Sequence, residues 1–497
     1  MTNQALLTLF PVIFPILAGV FLLLHHIHDD RQRHVYVELA TILSGLLACA
    51  AAFCSNGELL VLWHATDSLQ LALRMDALSR VFILLIAFIW PLVALYAFEY
   101  LHHRPPEYRF FAFFLGTCGI LNGVACSANF LTLYLFFELL TFMTLPLVMH
   151  SQRTEAISGG VKYLFYSLTG AGLALGGFFF FQACGVSTEF TPGGVMGAVT
   201  DPAQRNTLLT VTFVTLIGFG AKAGLYPLHA WLPIAHPVAP TPASAVLSGL
   251  ITKAGIVAMF RVIYFLAGAN FLRGTWVQTA VICTALLTIL IGSMLAYLEK
   301  HLKKRIAYSS ISQVSYVVFA MMLLTPSGVA GALLQVLAHA FAKTCLFLSA
   351  GVVIYFTMPT SNYHFTDQLK GVGRVLPITM SCFTLASLSL IGLPVTGGFT
   401  AKWYAAVGAI DPTLGWLGIA GIVVLLISAI LTAGYLMPIV TDAFFPGAKF
   451  DDSHLQPVHM SINMRLPQYL LSAGSLLTGV LSGPLVHCFD DIAAAIL

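Results

Sequence analysis

Charge is what this chain has least of. Asp, Glu, Lys and Arg together make up 9% of its 497 residues, against about 25% in ordinary soluble domains. With 58% of the residues hydrophobic, there is too little polar surface to face water, which excludes a soluble multi-domain protein. Paired cysteines are lacking too. Nine cysteines are present, mostly within apolar runs and never as C-x-x-C, so they read as small core hydrophobes and not as disulfide, zinc or iron-sulfur ligands. There is no G-x-x-x-x-G-K-[ST], no G-x-G-x-x-G opening a helix after a strand, no H-E-x-x-H and no nucleophile elbow, which leaves no cofactor, metal or hydrolytic site to expect. A net charge of +3 spread among loops also excludes a nucleic-acid surface.

What is there is a succession of membrane-length apolar runs, at about 5–24, 37–54, 78–101, 109–127, 129–149, 160–184, 208–234, 243–268, 276–297, 306–325, 329–356, 375–410, 414–437 and 468–489. A bilayer core needs about twenty apolar residues per helix, so the runs predict an all-α integral membrane protein of about fourteen transmembrane helices. They are continuous and do not alternate, which argues against a barrel. The opening MTNQALLTLF lacks a basic n-region and reads as the start of an uncleaved first span.

Loop charge sets the expected orientation. Loops after odd-numbered spans carry Arg31, Arg33, Arg104, Arg109, Arg153, Lys162, Lys300, Lys303, Lys304, Arg305, Lys370, Arg374, Lys449 and Arg465; those after even-numbered spans carry little beyond Arg74, Arg80, Arg205 and Arg273. The positive-inside rule then makes the odd loops cytoplasmic and places both termini outside. The run LEKHLKKRIAYSS reads, on this basis alone, as a solvated basic turn.

Two of the runs are interrupted. In GFGAKAGLYPLHAWLP the seventh span carries Lys222 and is then broken by Gly224 and Pro227; in GLPVTGGFTAKW the twelfth is broken and followed by Lys402. Breaks five spans apart predict two five-helix repeats, and an odd number of spans inserts the second copy inverted. The expected division is 1–108 as an N-terminal three-helix segment, 109–268 as the first repeat, 269–437 as the inverted second, and 438–497 as the C-terminal loop and last helix.

Few ionisable residues fall well inside the spans: Glu138, Lys222, Lys253, His339, Lys343 and Lys402. A lysine at the membrane centre costs roughly 2.5 to 3.5 kcal/mol on insertion scales, so it marks a functional site by default. If Glu138 approaches Lys222, pairing favours the protonated lysine and separation favours proton release; the alternative is a static ion pair joining two helices. Lys222 precedes its helix break, where carbonyl dipoles favour a positive charge, whereas Lys402 opens the following half-helix, where the dipole is expected to disfavour it. His339 and Lys343 share a helix face and read as relay groups, with Lys253 extending the line. His229 and His236 flank the second half of the seventh span, either as the intake for protons or as packing residues of the turn.

FFELLTFMTLP, GFGAKAGLYPLHAWLPIAHPVAPTPASAVLSGLITKAG, LKKRIAYSSISQVSY, HAFAKTCLFLSAG and GLPVTGGFTAKW run in order from Phe136 to Trp403. Together they resemble the antiporter-like membrane subunits shared by respiratory complex I, membrane-bound hydrogenases and Mrp-type cation/proton antiporters. The resemblance implies fourteen core helices, inverted repeats and a hydrated central axis. It also implies Glu138 and Lys222 as the modulating pair, Lys253, His339 and Lys343 as connecting groups, and Lys402 as the outlet residue. Ile234 and Val238 stand where acidic residues are usual, and Gln335 replaces a histidine found in some members. Lys402 stands where one complex I paralogue has glutamate, and the chain stops after the fourteenth span without the long lateral helix of the largest paralogue.

The reading closest to these features is a proton-translocating, multi-pass subunit of a bacterial or archaeal cell membrane, resembling the D-type chain of Mrp cation/proton antiporters. The alternative is the pump subunit of a complex I-like NADH:quinone oxidoreductase or energy-converting hydrogenase. In either case the expected partners are other membrane subunits, including paralogues of this chain, together with lipid, protons and, in the first case, Na+. No redox site belongs to this chain, so any oxidoreductase activity rests with partners.

Overall fold

The computed structural model describes residues 3–66, 69–102, 106–357, 366–447, 450 and 459–497. Arg104 and Lys449, two of the charges used for orientation, lie outside the described residues. Helices dominate: α1 (Phe10–His25), α2 (Asp30–Cys54), α3 (Ala77–Leu101), α4 (Glu107–Cys126), α5 (Phe130–Val148), α6 (Thr154–Ala183), α7 (Pro202–Ala223), α8 (Leu232–Val238) and α9 (Thr241–Ala267). The second half follows with α10 (Trp276–Leu298), α11 (Leu302–Met322), α12 (Pro326–Thr357), α13 (Pro377–Ile391), α14 (Gly397–Ala409), α15 (Trp416–Phe444), α16 (Ile462–Val480) and α17 (Ser482–Ile496).

Ten of these are long and apolar enough to cross a membrane by themselves. The others explain why a larger count is compatible. α1 and α13 are apolar but short, α11 has the length but is rich in serine and basic residues, and α16 and α17 form one apolar pair bent by 72°. The two interruptions lie where the sequence places them, between α7 and α8 and between α13 and α14. Both end the same way. Gly224 (φ 85°) and Gly392 (φ 91°) adopt the left-handed conformation that stops a helix, and the next residue donates back five positions, Leu225 N to Gly220 O at 2.9 Å and Leu393 N to Leu388 O at 3.1 Å. Only glycine takes that backbone without a Cβ penalty.

Capping fixes the other ends. Asp29, Asp76, Asn129 and Asp201 each accept a hydrogen bond from the backbone three residues on, starting α2, α3, α5 and α7. Between α2 and α3, where the sequence shows only a connection, Leu60–Thr66 (β1) and Leu69–Leu73 (β2) pair as an antiparallel hairpin. The hairpin gathers one end of the molecule, since Leu73 bridges to Ser127 and Asn129 to Glu189 of the α6–α7 connection.

Burial sorts the helices. α9 is buried along its whole length and α12 nearly so, whereas α2, α6 and α15 turn Leu, Ile and Phe side chains outward, as lipid-facing or subunit-facing helices do. Small residues bring the inner helices together. A Cβ built on Gly170 of α6 would lie 2.5 Å from Gly218 O of α7, and one on Gly255 of α9 would lie 2.7 Å from Ala223 N of α7. These two contacts set α7, and with it Lys222, against its neighbours.

Candidate functional site

The seven-residue connection after Gly224 is held by Trp231, whose indole donates at 2.8 Å to Ala221 O, a last-turn carbonyl that also accepts from Gly224 N at 3.1 Å. Just before the break, the Lys222 side chain leaves its own helix. Its Nζ donates to Thr141 Oγ1 at 2.6 Å and to Phe137 O at 3.1 Å, and lies 4.5 Å from the centre of the Phe137 ring. All three contacts are on α5. Glu138 directly follows the anchor Phe137, yet it makes no ion pair with the lysine; Tyr134 donates to its Oε1 at 3.4 Å, and its buried Oε2 has no protein partner. The expected direct pair is therefore corrected to two neighbouring ionisable groups, the lysine held by neutral acceptors and the carboxyl left with one oxygen uncommitted.

Lys253 follows a π-helical turn, Leu247–Ile251, that widens α9 by one residue. Such bulges recur at functional sites because they free a backbone carbonyl. Here Lys253 Nζ donates to Ser248 O at 2.7 Å and meets His339 Nδ1 of α12 at 2.5 Å. The relay expected between His339 and Lys343 along one helix face is thus shared differently. His339 serves Lys253, while Lys343 turns to α11, donating to Ser309 Oγ and to Ile306 O at 2.9 Å. Ser248 and Ser310 join at 2.7 Å, tying α9 to the same serine-rich face.

Lys402 departs from expectation. It sits in the first half of α14, but its ammonium reaches back across the break to the last carbonyls of α13, Leu390 O at 2.6 Å and Ile391 O at 2.8 Å. Its charge therefore meets a helix C-terminus, which favours it, and not the N-terminus that its sequence position implies. The expected difference in helix dipole between Lys222 and Lys402 does not exist in this form.

His236 is fully buried, stacks on Phe347 with ring centres 4.7 Å apart, and has neither ring nitrogen bonded to protein. His229 is half-buried in the break itself, 5.7 Å from the Tyr226 ring. The two histidines thus sit on different footings, one at the break and one sealed in the core.

Sequence reasoning missed several groups. Gln313, unnoticed in the sequence, and Gln335, marked there only by the histidine it replaces, connect the middle of the site: Gln335 Nε2 donates to Gln313 Oε1 at 2.9 Å, and Gln313 Nε2 to Leu390 O at 3.3 Å. The basic turn LEKHLKKRIAYSS is only partly solvated, because Lys303 and Arg305 are buried and reach Ala239 O at 3.0 Å and Tyr435 O at 3.1 Å. Positive charge near a helix end can brace backbone carbonyls as readily as it can mark topology. Arg261 in α9 is fully buried and forms an ion pair with Asp76, with further bonds to Ser79 Oγ at 2.9 Å and Ala125 O at 3.4 Å. A charge in the last turns of a span was the available signal.

Comparison with known proteins agrees with this architecture. Residues 127–428 match the family profile described as NADH:quinone oxidoreductase/Mrp antiporter, TM, and residues 63–111 match that of NADH-Ubiquinone oxidoreductase (complex I), chain 5 N-terminus. NADH-quinone oxidoreductase subunit N of Desulforudis audaxviator is 30% identical over 416 residues, which is 82% of this chain and 80% of that one. The D-type chain of the Na(+)/H(+) antiporter of Alkalihalophilus pseudofirmus is 24% identical over 402 residues, 80% and 79% of the two chains. Among solved structures, a chain of the Mrp complex from Dietzia sp. DQ12-45-1b superposes with a TM-score of 0.84 at 20% identity, covering 100% of this chain and 98% of that chain.

Proposed function

The chain belongs to the NADH:quinone oxidoreductase/Mrp antiporter family of membrane subunits, and from that premise we propose that it carries protons across the membrane as one subunit of a larger membrane complex. The observation that carries this reading is the line of amines and imidazole through the core, three buried amines and the half-buried Lys402: Lys222 on α5 acceptors, Lys253 on His339, Lys343 on Ser309, and Lys402 on the end of α13. Buried amines with neutral partners can give up a proton without leaving an unpaired carboxylate behind. Glu138, beside the anchors of Lys222, biases the first of them. Protons reach the line near His229 and His236 and leave beyond Lys402.

In this reading α4 to α9 and α10 to α15 are inverted counterparts, each with one interrupted helix. The hairpin end faces outward and the α10–α11 turn inward, following the basic loops. The complex is of the Mrp type, exchanging a cation such as Na+ for protons. A second reading, the pump subunit of a redox-driven complex, draws on the 30% identity to an NADH-quinone oxidoreductase subunit N. The subunits that purify with the chain separate the two, because hydrophilic iron-sulfur partners belong only to the second. Proton uptake by the reconstituted complex tests both: Lys222→Ala and Glu138→Gln are expected to abolish or sharply reduce it, and undiminished uptake would sink the proposal.

A further inference from the structure

Between His339 and Lys402 the polar line passes through two carboxamides, and their orientation is fixed by chemistry. Leu390 O can only accept, so the end of Gln313 that faces it, at 3.3 Å, is the NH2 group. Gln313 Oε1 then faces Gln335, which must present its own NH2, at 2.9 Å. Gln335 Oε1 therefore points the other way, where it is buried without a protein partner. On the His339 side, Lys253 Nζ lies 2.5 Å from Nδ1; when Lys253 is charged it donates there, and the ring proton then sits on Nε2. That nitrogen is also buried without a protein partner. Gln335 and His339 lie four residues apart on α12, so a free acceptor and a free donor occupy one helix face.

We propose that the Gln313–Gln335 amide pair is a latch that interrupts proton flow between the Lys253–His339 half of the site and Lys402, and that protons cross only when the pair parts and admits water. The inference rests on the proton-transport reading given above. Its physical basis is that a wire of hopping protons needs groups that accept and donate through one atom, as water and hydroxyl do. An amide accepts on oxygen, donates on nitrogen, and does not ionise near neutral pH. The donors all run one way, from Lys253 toward Leu390 O, and Lys402 donates to the same carbonyl from the far side at 2.6 Å. Two donors meeting on one acceptor leave no path for a proton between them. Both glutamines are buried, at 0% and 3% exposure, so bulk water does not bypass the pair.

The test is passive proton flux into vesicles holding the whole complex, driven by an imposed potassium diffusion potential and read with an enclosed pH dye. Gln335→His places a group that accepts and donates in the gap, and Gln313→Asn shortens one arm so that water enters. Each is expected to raise passive flux on the order of tenfold, since the latch amounts to two ordinary hydrogen bonds. Adding Lys402→Met to either is expected to return the flux to the wild-type level. Wild-type flux in both single variants overturns the latch, and so does a raised flux that Lys402→Met leaves untouched, which marks a leak elsewhere. Lys222→Ala measured alongside keeps the two readings apart. If it abolishes driven transport while the glutamine variants stay tight, only the latch fails; if driven transport survives it, the transport reading fails first.

Discussion

Lys402 belongs to the helix after the second break, yet its ammonium rests on Leu390, 2.6 Å from the carbonyl oxygen at the end of the helix before it. The lysine thus caps the helix it does not belong to. Leu390 and Ile391 supply the last carbonyls of α13, which have no intrahelical partner, and a cation is their natural complement. Structure and transport place different demands on this residue. A guanidinium in place of the ammonium would keep the cap but, being permanently charged, would hold its proton. Lys402→Arg is therefore expected to unfold near the wild-type temperature in detergent while abolishing proton uptake. Lys402→Met should abolish uptake and also lower stability, by about 1 to 3 kcal/mol, because Ile391 O is left without a donor and Leu390 O keeps only Gln313. Equal loss of stability in both variants would argue against the capping role.

Lys222 is held differently, by a hydroxyl and a carbonyl of α5. Thr141→Val keeps the volume and removes the hydroxyl, so one hydrogen bond to the ammonium is lost. With Glu138 still beside it, the lysine is expected to turn toward the carboxylate and retain its proton more firmly, slowing driven transport about fivefold. Glu138→Gln removes the charge and should slow it far more. Proton uptake rates in the reconstituted complex rank the two, and a Thr141→Val variant slower than Glu138→Gln would contradict this arrangement.

At the hairpin end, the buried Arg261 pairs with the partly exposed Asp76, outside the proton line. Asp76→Asn keeps the cap on α3 but leaves the guanidinium uncompensated, at an expected cost of about 3 to 5 kcal/mol. Adding Arg261→Met should restore most of that loss in thermal unfolding. Burial raises the Asp76 carboxyl, but the Arg261 charge and the bonds from Arg261 and Ser79 outweigh it and hold the group below its ordinary value. A lowered folded value adds stability above the ordinary pKa and loses it as pH falls through the folded one. The stability gap between wild type and Asp76→Asn is therefore expected in full at neutral pH, closing only below about pH 4. A gap that closes on alkalinisation instead would mean the sign is wrong.

The spans, the two breaks and the six core ionisable residues are legible in the sequence because each departs from a continuous apolar background. A lysine among twenty apolar residues, or a Gly-Pro break in such a run, needs no partner to be noticed. What pairs with what is not legible. Lys253 and His339 meet across 86 positions, and nothing in either local stretch favours that contact over the one between His339 and Lys343. The direction of a long side chain is hidden too, since Lys402 can reach backward over a break as easily as forward. Gln313 carries no charge and stands out only once Leu390 O is seen between it and the lysine, and Gln335, though noticed as a replaced histidine, gives no sign of its partner. The hairpin escapes notice because LVLWHAT and LQLAL are too short to separate strand from loop by periodicity.

The position of Lys222 depends finally on a glycine contact that carries no chemistry. A Cβ on Gly170 would lie 2.5 Å both from Gly218 O and from the Ala221 Cβ of α7, and neither atom is the end of a flexible side chain. Gly170→Ala must therefore push α7 away from α6. Overpacking of this kind costs about 1 to 3 kcal/mol, and Ala221, at the contact, is the residue next to Lys222. The displacement lengthens the bonds to Thr141 and Phe137, so transport should fall along with stability. Gly172, two residues on along α6, is the control, because a Cβ there meets nothing within 4 Å, and replacing a helical glycine by alanine gains up to about 1 kcal/mol of helix propensity. Gly172→Ala is expected to melt at or above the wild-type temperature with unchanged proton uptake, and Gly170→Ala below it with reduced uptake. Matching behaviour of the two variants would show that the close crossing of α6 and α7 does not govern the site.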